Sequence, residues 1–256
     1  MVDFPSKEFY DLADFIKIVD VLRGEGGCPW DREQTHASIR RDMLEEAYEV
    51  AEAIDNNDPA GLKEELGDVL LQVVFHAQIC AEAGEFDMGD VCTGIVKKLI
   101  RRHPDLFPVS PDLQGKSWDE IKQAEKRLTS GSKDAAQVAR SLPALIYADK
   151  VQTRVARTGF DWPDAEMAMN KVEEEAAERR QALTDNTNVE EELGDLLFAA
   201  VNVARLRGLD PEETLMRATD KFRRRFAKVE EAAGDKLAGM DIDELITLWK
   251  QAKEEA

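Results

Sequence analysis

The sequence predicts an all-α protein built of two tandem helical bundles related by internal duplication, and three observations carry that expectation. The pentad Glu64-Glu65-Leu66-Gly67-Asp68 returns as Glu191-Glu192-Leu193-Gly194-Asp195. Each copy follows an E-E-x-x-E cluster, Glu45 to Glu49 in one half and Glu174 to Glu178 in the other. Apolar residues make up 43% of the chain and charged residues 34%, with few glycines, prolines or β-branched runs, a composition that suits helices. A length of 256 residues fits two domains of ordinary size. The expected division is a first domain over 1–128, a connection over 129–141 and a second domain over 142–256.

In chain order, a first amphipathic helix is expected from about Phe9 to Arg23, with Leu12, Phe15, Ile16, Val19 and Leu22 on one side and a stop at Gly24 to Gly27. Cys28-Pro29-Trp30-Asp31 reads as a turn. The helix bearing the first acidic cluster ends near Asp55 to Asp58, and Asp58 with Pro59 at the first helical position starts the helix bearing Glu65 and Asp68. A helix from about Met88 to Arg102 stops ahead of Pro104, because proline disfavours a helical residue before it. Pro104 to Ser117 reads as an extended loop, Trp118 to Lys122 as a short helix, and Thr129 to Asp134 as a flexible linker. The second half repeats the plan: a helix from Leu142 to Arg157, a turn at Gly159 to Pro163, two acidic helices, and a helix starting at Asp210-Pro211 with a basic run from Lys221 to Phe226. Offsets of 129 residues from Glu46 to Glu175, 127 from Glu65 to Glu192 and 123 from Lys98 to Lys221 place the length changes in loops.

Residues three apart on a helix share a face, so Glu46 with Glu49, Glu65 with Asp68, Glu175 with Glu178 and Glu192 with Asp195 form four carboxylate pairs. Short connections make each half an antiparallel hairpin, on which four acids converge. Two like charges about 6 Å apart repel by roughly 3 kcal/mol at an effective dielectric near 20. Such a quartet calls for a cation, and an all-oxygen set suits Mg²⁺ or Mn²⁺ better than zinc. Acidic residues number 53, so one E-x-x-E alone would be an ordinary solvated face. The apolar runs after each pentad, Val69 to Phe75 and Leu196 to Val203, place these helices inside a bundle, where an acid requires a partner. Lys98 with Arg102 and Lys221 with Arg225 each stand one turn apart, an arrangement that with a metal handles phosphate and by itself would be a solvated patch.

A formal net charge of -19 argues against binding nucleic-acid polymers through their phosphates. Cys28, Cys80 and Cys92 form no C-x-x-C and suit a reducing compartment, and the amino terminus lacks the parts of a signal peptide. No stretch runs eighteen apolar residues, so a cytoplasmic protein without membrane association is expected. His36, His76 and His103 are too dispersed for zinc spacing, with His76 expected as a satisfied core histidine. Trp30 and Trp162 follow similar turns and are expected to pack in the core, base stacking being the alternative.

With these residues on the page, the chain resembles the MazG family of nucleoside triphosphate pyrophosphohydrolases over nearly its whole length. The resemblance rests on Cys28-Pro29-Trp30-Asp31, Gln34-Thr35-His36, both acidic sets, Val73 to Ala77, Arg102-His103-Pro104, Gly159-Phe160-Asp161-Trp162, Leu196 to Ala199 and Lys221 to Phe226. It implies Mg²⁺-dependent hydrolysis of nucleoside triphosphates, of broad base and sugar specificity, to monophosphate and pyrophosphate by a homodimer, in nucleotide-pool house-cleaning or alarmone control. Glu175, Glu178, Glu192 and Asp195 would be metal ligands, with Glu46, Glu49, Glu65 and Asp68 their counterparts in the first half. Lys171, Lys221 and Arg225 would lie on the triphosphate, Trp249 and Lys253 near the nucleotide, and Glu174, about 100° around the helix from Glu175, would accept a proton. Lys171 precedes Glu175 by four, whereas Asp42 precedes Glu46, so the second half is expected to do most of the hydrolysis. The family often has a lysine four before the E-x-x-D glutamate, where this chain has Asn188. Two other readings are a non-hydrolytic nucleotide or alarmone sensor and a narrower pyrophosphatase for dUTP, dCTP or phosphoribosyl-ATP.

Overall fold

The computed structural model describes residues 4–107, 111–126 and 130–254, which are helices joined by turns, with no strand among them. The chain divides into two compact units, residues 1–122 and 123–256. No helix of the described residues is long and apolar enough to cross a membrane.

The first unit opens with α1 (Leu12–Arg23), which starts later than its apolar pattern suggests. Asp11 and Asp14 form a reciprocal capping box that fixes the first turn, leaving Phe9 and Tyr10 exposed ahead of it. The turn expected at Cys28 is a single helical turn, α2 (Pro29–Glu33), with proline at its first position. Then come α3 (Arg40–Asp55) and α4 (Pro59–Glu82), a hairpin whose three-residue connection bends at Asn57 with φ 52°. Asparagine tolerates that left-handed backbone. Asp58 then caps α4 by accepting from the amides of Ala60 and Gly61. The helix α5 (Met88–Arg102) packs on α4 and ends at His103, whose ring Nδ1 lies 2.7 Å from the carbonyl of Leu99. Between His103 and Ser117 the chain turns and forms a short 3₁₀ segment (Pro111–Leu113) rather than running extended. Residues 108–110 lie outside the described part.

The core of this unit gathers Val19 of α1, Ile39 ahead of α3, and Val74 and Phe75 of α4. Arg23 closes its end: Nε and Nη2 donate to the Glu82 carboxylate at 2.8 and 2.7 Å, Nη1 donates to the carbonyls of Asp31 and Gln34, and the guanidinium lies 5.0 Å from the Phe75 ring centroid. One side chain therefore ties α1, α2 and α4. His36 and His76, forty residues apart, stack with their Nδ1 atoms 2.7 Å apart, and Cys80 Sγ lies 3.4 Å from Nε2 of His36. Burial, with Glu85 adding to it, pushes the Cys80 thiol up.

Across the boundary between units runs α6 (Trp118–Lys126). Where a flexible linker is expected, Ser130 instead caps α7 (Gly131–Ala135), which packs on α8 (Ala144–Ala156). Asp134, buried, takes Arg154 at 3.3 Å on its carboxylate and at 2.6 Å on its carbonyl, with Arg157 at 4.0 Å. Polar composition suggests a loop here, but these long-range ion pairs hold the turn in place. Thr129 lies outside the described residues. The hairpin of α9 (Ala165–Asp185) and α10 (Val189–Leu206) repeats α3 and α4, followed by α11 (Pro211–Ala233) and α12 (Ile242–Glu254). Its connection holds Asn186 and Asn188 at φ 53° and 48°. A lysine at 188 would bring a strained left-handed backbone, a local reason for the asparagine.

The apolar runs behind the pentads are not fully enclosed within one chain. Val74, Phe75, Ala199 and Val201 are buried, but Leu66, Leu70, Leu193, Leu197 and Phe198 are exposed. Trp30, expected in the core, is 62% exposed, because the α2 turn holds it outside the packed face of α1.

Two outcomes follow from this packing. Arg23→Met should destabilise the first unit by about 2 kcal/mol in denaturant unfolding, since two carbonyls lose a charged donor while the part-exposed Glu82 regains water. Burial, with His36 adding to it, holds the His76 imidazole below its usual value. The folded state thus favours neutral His76, the unfolded chain binds the proton below about pH 6.5, and stability drops as pH falls through that region. Denaturant melts at pH 7.5 and 5.5 should show a smaller loss for His76→Asn than for the parent chain.

Candidate active site

Helix geometry decides which acids meet. Glu175 and Glu178 stand one turn apart on α9, and Glu192 and Asp195 one turn apart on α10. In the hairpin, Glu175, Glu192 and Asp195 bring carboxylate oxygens within 4.8 Å of one another. Glu178 does not join that group and is exposed, although its charge is the largest electrostatic push on Glu192. In the first unit Glu46, Glu49 and Glu65 come within the same 4.8 Å, whereas Asp68 stays outside and acts on Glu46 through its charge. Each expected quartet is thus a triad with a fourth acid beside it. A side chain one turn further along a helix projects past the crossing point.

Electrostatics record the crowding. Desolvation first, then the neighbouring acids, raise Glu46, Glu65 and Glu192 above the ordinary carboxylate range. Glu175 is 6% exposed, and its Oε2 is buried with no hydrogen-bond partner. Its Oε1 takes Lys171 Nζ at 2.7 Å, and the same ammonium reaches Glu174 at 2.9 Å. These two bonds lift Lys171 well above the usual lysine range. Lys171, expected on the triphosphate, therefore sits on the acid group itself, and Glu174 is an ion-paired, largely exposed carboxylate. In the first unit the corresponding residue, Asp42, adds negative charge instead.

The remaining expected residues fall on two helices. Lys221 and Arg225 lie one turn apart on α11. Arg225 keeps a buried Nε without a partner. Between them Phe222 packs its ring 5.1 Å from Trp249 of α12, so Trp249 meets α11 through an aromatic contact, with Lys253 exposed one turn on. In the first unit Lys98 is exposed on α5, and Arg102 stacks over the Trp118 ring at 4.9 Å, with Lys122 over it at 4.6 Å.

Sequence reasoning missed a cavity of about 500 Å³ between α8, the Gly159 to Trp162 turn and α10, lined by Val151, Gln152, Phe160, Trp162, Phe198 and Asn202. Arg205 braces its rim with a forked bond to Asp161. Trp162, expected in the core, is a wall of this cavity. The signal for it was Gly159-Phe160-Asp161-Trp162, a turn with two aromatics next to a charged residue.

The chain is similar to known proteins over both acidic hairpins. The family model described as the MazG nucleotide pyrophosphohydrolase domain matches residues 34–107 and 164–230, together more than half of the chain, and each match holds one acidic hairpin. A nucleoside triphosphate pyrophosphohydrolase/pyrophosphatase MazG of Thermotoga maritima is 44% identical over 94% of this chain and 95% of its own length. A nucleoside triphosphate pyrophosphohydrolase of Escherichia coli K12 is 43% identical over 90% of this chain and 91% of its own. One of Mycobacterium tuberculosis is 39% identical over 58% of this chain and 46% of its own. With two copies of the domain and likeness that runs nearly end to end, the chain belongs to the MazG nucleotide pyrophosphohydrolase family.

Proposed function

We propose that the chain hydrolyses nucleoside triphosphates to the monophosphate and pyrophosphate, using Mg²⁺ or Mn²⁺ held mainly by Glu175, Glu192 and Asp195. The observation that carries this reading is the buried, unpartnered Oε2 of Glu175 within a triad of carboxylates. Leaving such an oxygen unpaired is costly, and a hard divalent ion with oxygen ligands is the partner that fits. Glu178, one turn on from Glu175 and acting on Glu192 through its charge, would be the fourth ligand, and Glu46, Glu49, Glu65 and Asp68 would hold an ion in the first unit. When bound, the metal polarises phosphate oxygens and neutralises charge that builds up on them.

The chain's own residues supply the rest. Lys171 can exchange Glu175 for a phosphate oxygen through its flexible stem, while Lys221 and Arg225 neutralise others. Glu174, held beside Lys171, accepts the proton of a water that attacks the α-phosphorus. The bond from that phosphorus to the bridging oxygen breaks, and pyrophosphate leaves with the electron pair. Trp249, which meets Phe222 of α11, and Lys253 one turn on would lie near the nucleotide. The second unit does most of this work, because Lys171 has an acid, Asp42, at its place in the first. Substrates are expected to span several bases and both sugars, as an aromatic-lined cavity tolerates. A homodimer is supported by the exposed Leu66 and Leu70 on α4 and Leu193 and Leu197 on α10, i and i+4 pairs at matching positions that a second copy can cover.

Pyrophosphate release from a nucleotide panel with and without Mg²⁺ tests the reading. Glu192→Ala should lower turnover at least a hundredfold and Glu65→Ala less than threefold; equal losses would refute the asymmetry. Stability gives an independent readout. Since desolvation, and then the neighbouring acids, raise Glu192, its charged form is disfavoured in the fold above the ordinary carboxylate value. Glu192→Gln should therefore raise the melting temperature of metal-free protein at pH 8 and shrink the upward shift that Mg²⁺ gives the parent chain.

A further inference from the structure

We propose that Arg179, which plays no part in the fold's ion pairs, is a further phosphate-binding residue, gripping the bound polyphosphate from one turn beyond Glu175; this rests on the hydrolytic reading above. Arg179 lies on α9 and is partly buried, with its Nε enclosed and without a hydrogen-bond partner. Among the described residues it makes no hydrogen bond and no ion pair. Its Nη1 and Nη2 are not enclosed, so packing holds the stem while the end of the fork stays open. A guanidinium anchored in this way and left unpaired calls for an acceptor from outside the chain. Arg225 is the one other described arginine with an enclosed, unpartnered Nε, and it stands among the cations set on the triphosphate.

The surroundings make that isolation informative. In the antiparallel hairpin, the step from Glu175 to Arg179 along α9 matches the step from Glu192 back to Asn188 along α10. Arg179 therefore lies level with the first turn of α10, which carries Glu190, Glu191 and Glu192, and Glu178 precedes it on its own helix. It pairs with none of them. Side chains on a helix lean toward its amino terminus, so Arg179 leans over the turn that holds Glu175. Glu175 keeps an enclosed Oε2 without a partner, yet these opposite charges one turn apart leave each other unpaired. A divalent ion carrying a polyphosphate satisfies both at once: the ion meets the carboxylate oxygen, and the phosphate meets the guanidinium. Arginine suits the second contact because its planar fork matches two phosphate oxygens.

The first unit lacks this cation. The offset of 129 that relates Glu46 to Glu175 relates Asp42 to Lys171 and Val50 to Arg179. At intervals of four, α3 thus reads Asp, Glu, Val where α9 reads Lys, Glu, Arg. Lys171 and Arg179 are separated by a helix rise of about 12 Å with Glu175 midway, so the two cations bracket the acid triad along the helix. Positive charge on both sides of the triad belongs to the second unit, the one to which hydrolysis is assigned.

The test is steady-state hydrolysis of ATP with Mg²⁺, with inorganic tripolyphosphate as a competitor that has neither base nor sugar. Arg179→Val installs the residue that the first unit carries, and Arg179→Gln keeps a hydrogen-bonding side chain without the charge. Both should lower kcat/KM tenfold or more and raise the inhibition constant of tripolyphosphate in step, without lowering the melting temperature of nucleotide-free protein, since no ion pair is lost. A residue that only supports the fold would lower the melting temperature and leave the tripolyphosphate constant where it is. Should Arg179→Val fail to fold, Arg179→Gln is read by the same measures. A change below threefold in kcat/KM overturns the assignment, as does a fall in kcat/KM with the tripolyphosphate constant unchanged. If the parent releases no pyrophosphate from ATP, the hydrolytic reading fails by itself. Calorimetric titration with tripolyphosphate and Mg²⁺ then decides the contact: binding to Arg179→Gln weaker by threefold or more supports it, and a smaller change, or no binding to the parent, overturns it.

Discussion

Mutual repulsion among carboxylates held on facing helices is the constraint from which the rest of the structure follows. Three acids with oxygens within 4.8 Å cannot all be charged without compensation. Two helices joined by three residues cannot separate far enough to relieve them. Desolvation first, and then the neighbouring acids, displace Glu46, Glu65 and Glu192 above their ordinary range. In the second unit Lys171 supplies part of the missing positive charge through Glu174 and Glu175. That arrangement leaves the other oxygen of Glu175 open, so the chain satisfies only half of its most buried acid. A site that fully neutralised itself would have nothing left with which to hold a metal.

Much of this was legible in the sequence because helix periodicity is local. The starts of α4 and α11 at Asp-Pro, the end of α5 before His103-Pro104, and the pairing of acids three apart depend on neighbours within a turn or two. The repeat of the pentad then supplied the one long-range fact, that two hairpins share a plan. Where neighbours in sequence are not neighbours in space, the reading failed. Nothing local brings His36 to His76 and Cys80, and nothing in Ser130 to Asp134 announces that Arg154 will hold it as a helix. Triads in place of quartets have the same origin. Spacing of three puts two acids on one face, but the crossing point of two helices decides which of them meet.

Duplication gives two copies of one plan, and their differences concentrate in one layer. Beneath α1 the first unit spends the space on packing: Val19 and Phe75 fill it, and Arg23 seals the end through Glu82 and two carbonyls. Burying one phenyl ring is worth about 1.5–3 kcal/mol. Beneath α8 the second unit forgoes that gain, putting Asn202 where the first has Phe75 and leaving Gln152 half satisfied. An unfilled, partly polar cavity is a cost that packing alone would remove. The same unit carries Lys171 where the other has Asp42, so loss of packing and gain of positive charge fall together. Two independent changes pointing at one hairpin are what the proposed division of labour, with hydrolysis in the second copy, requires.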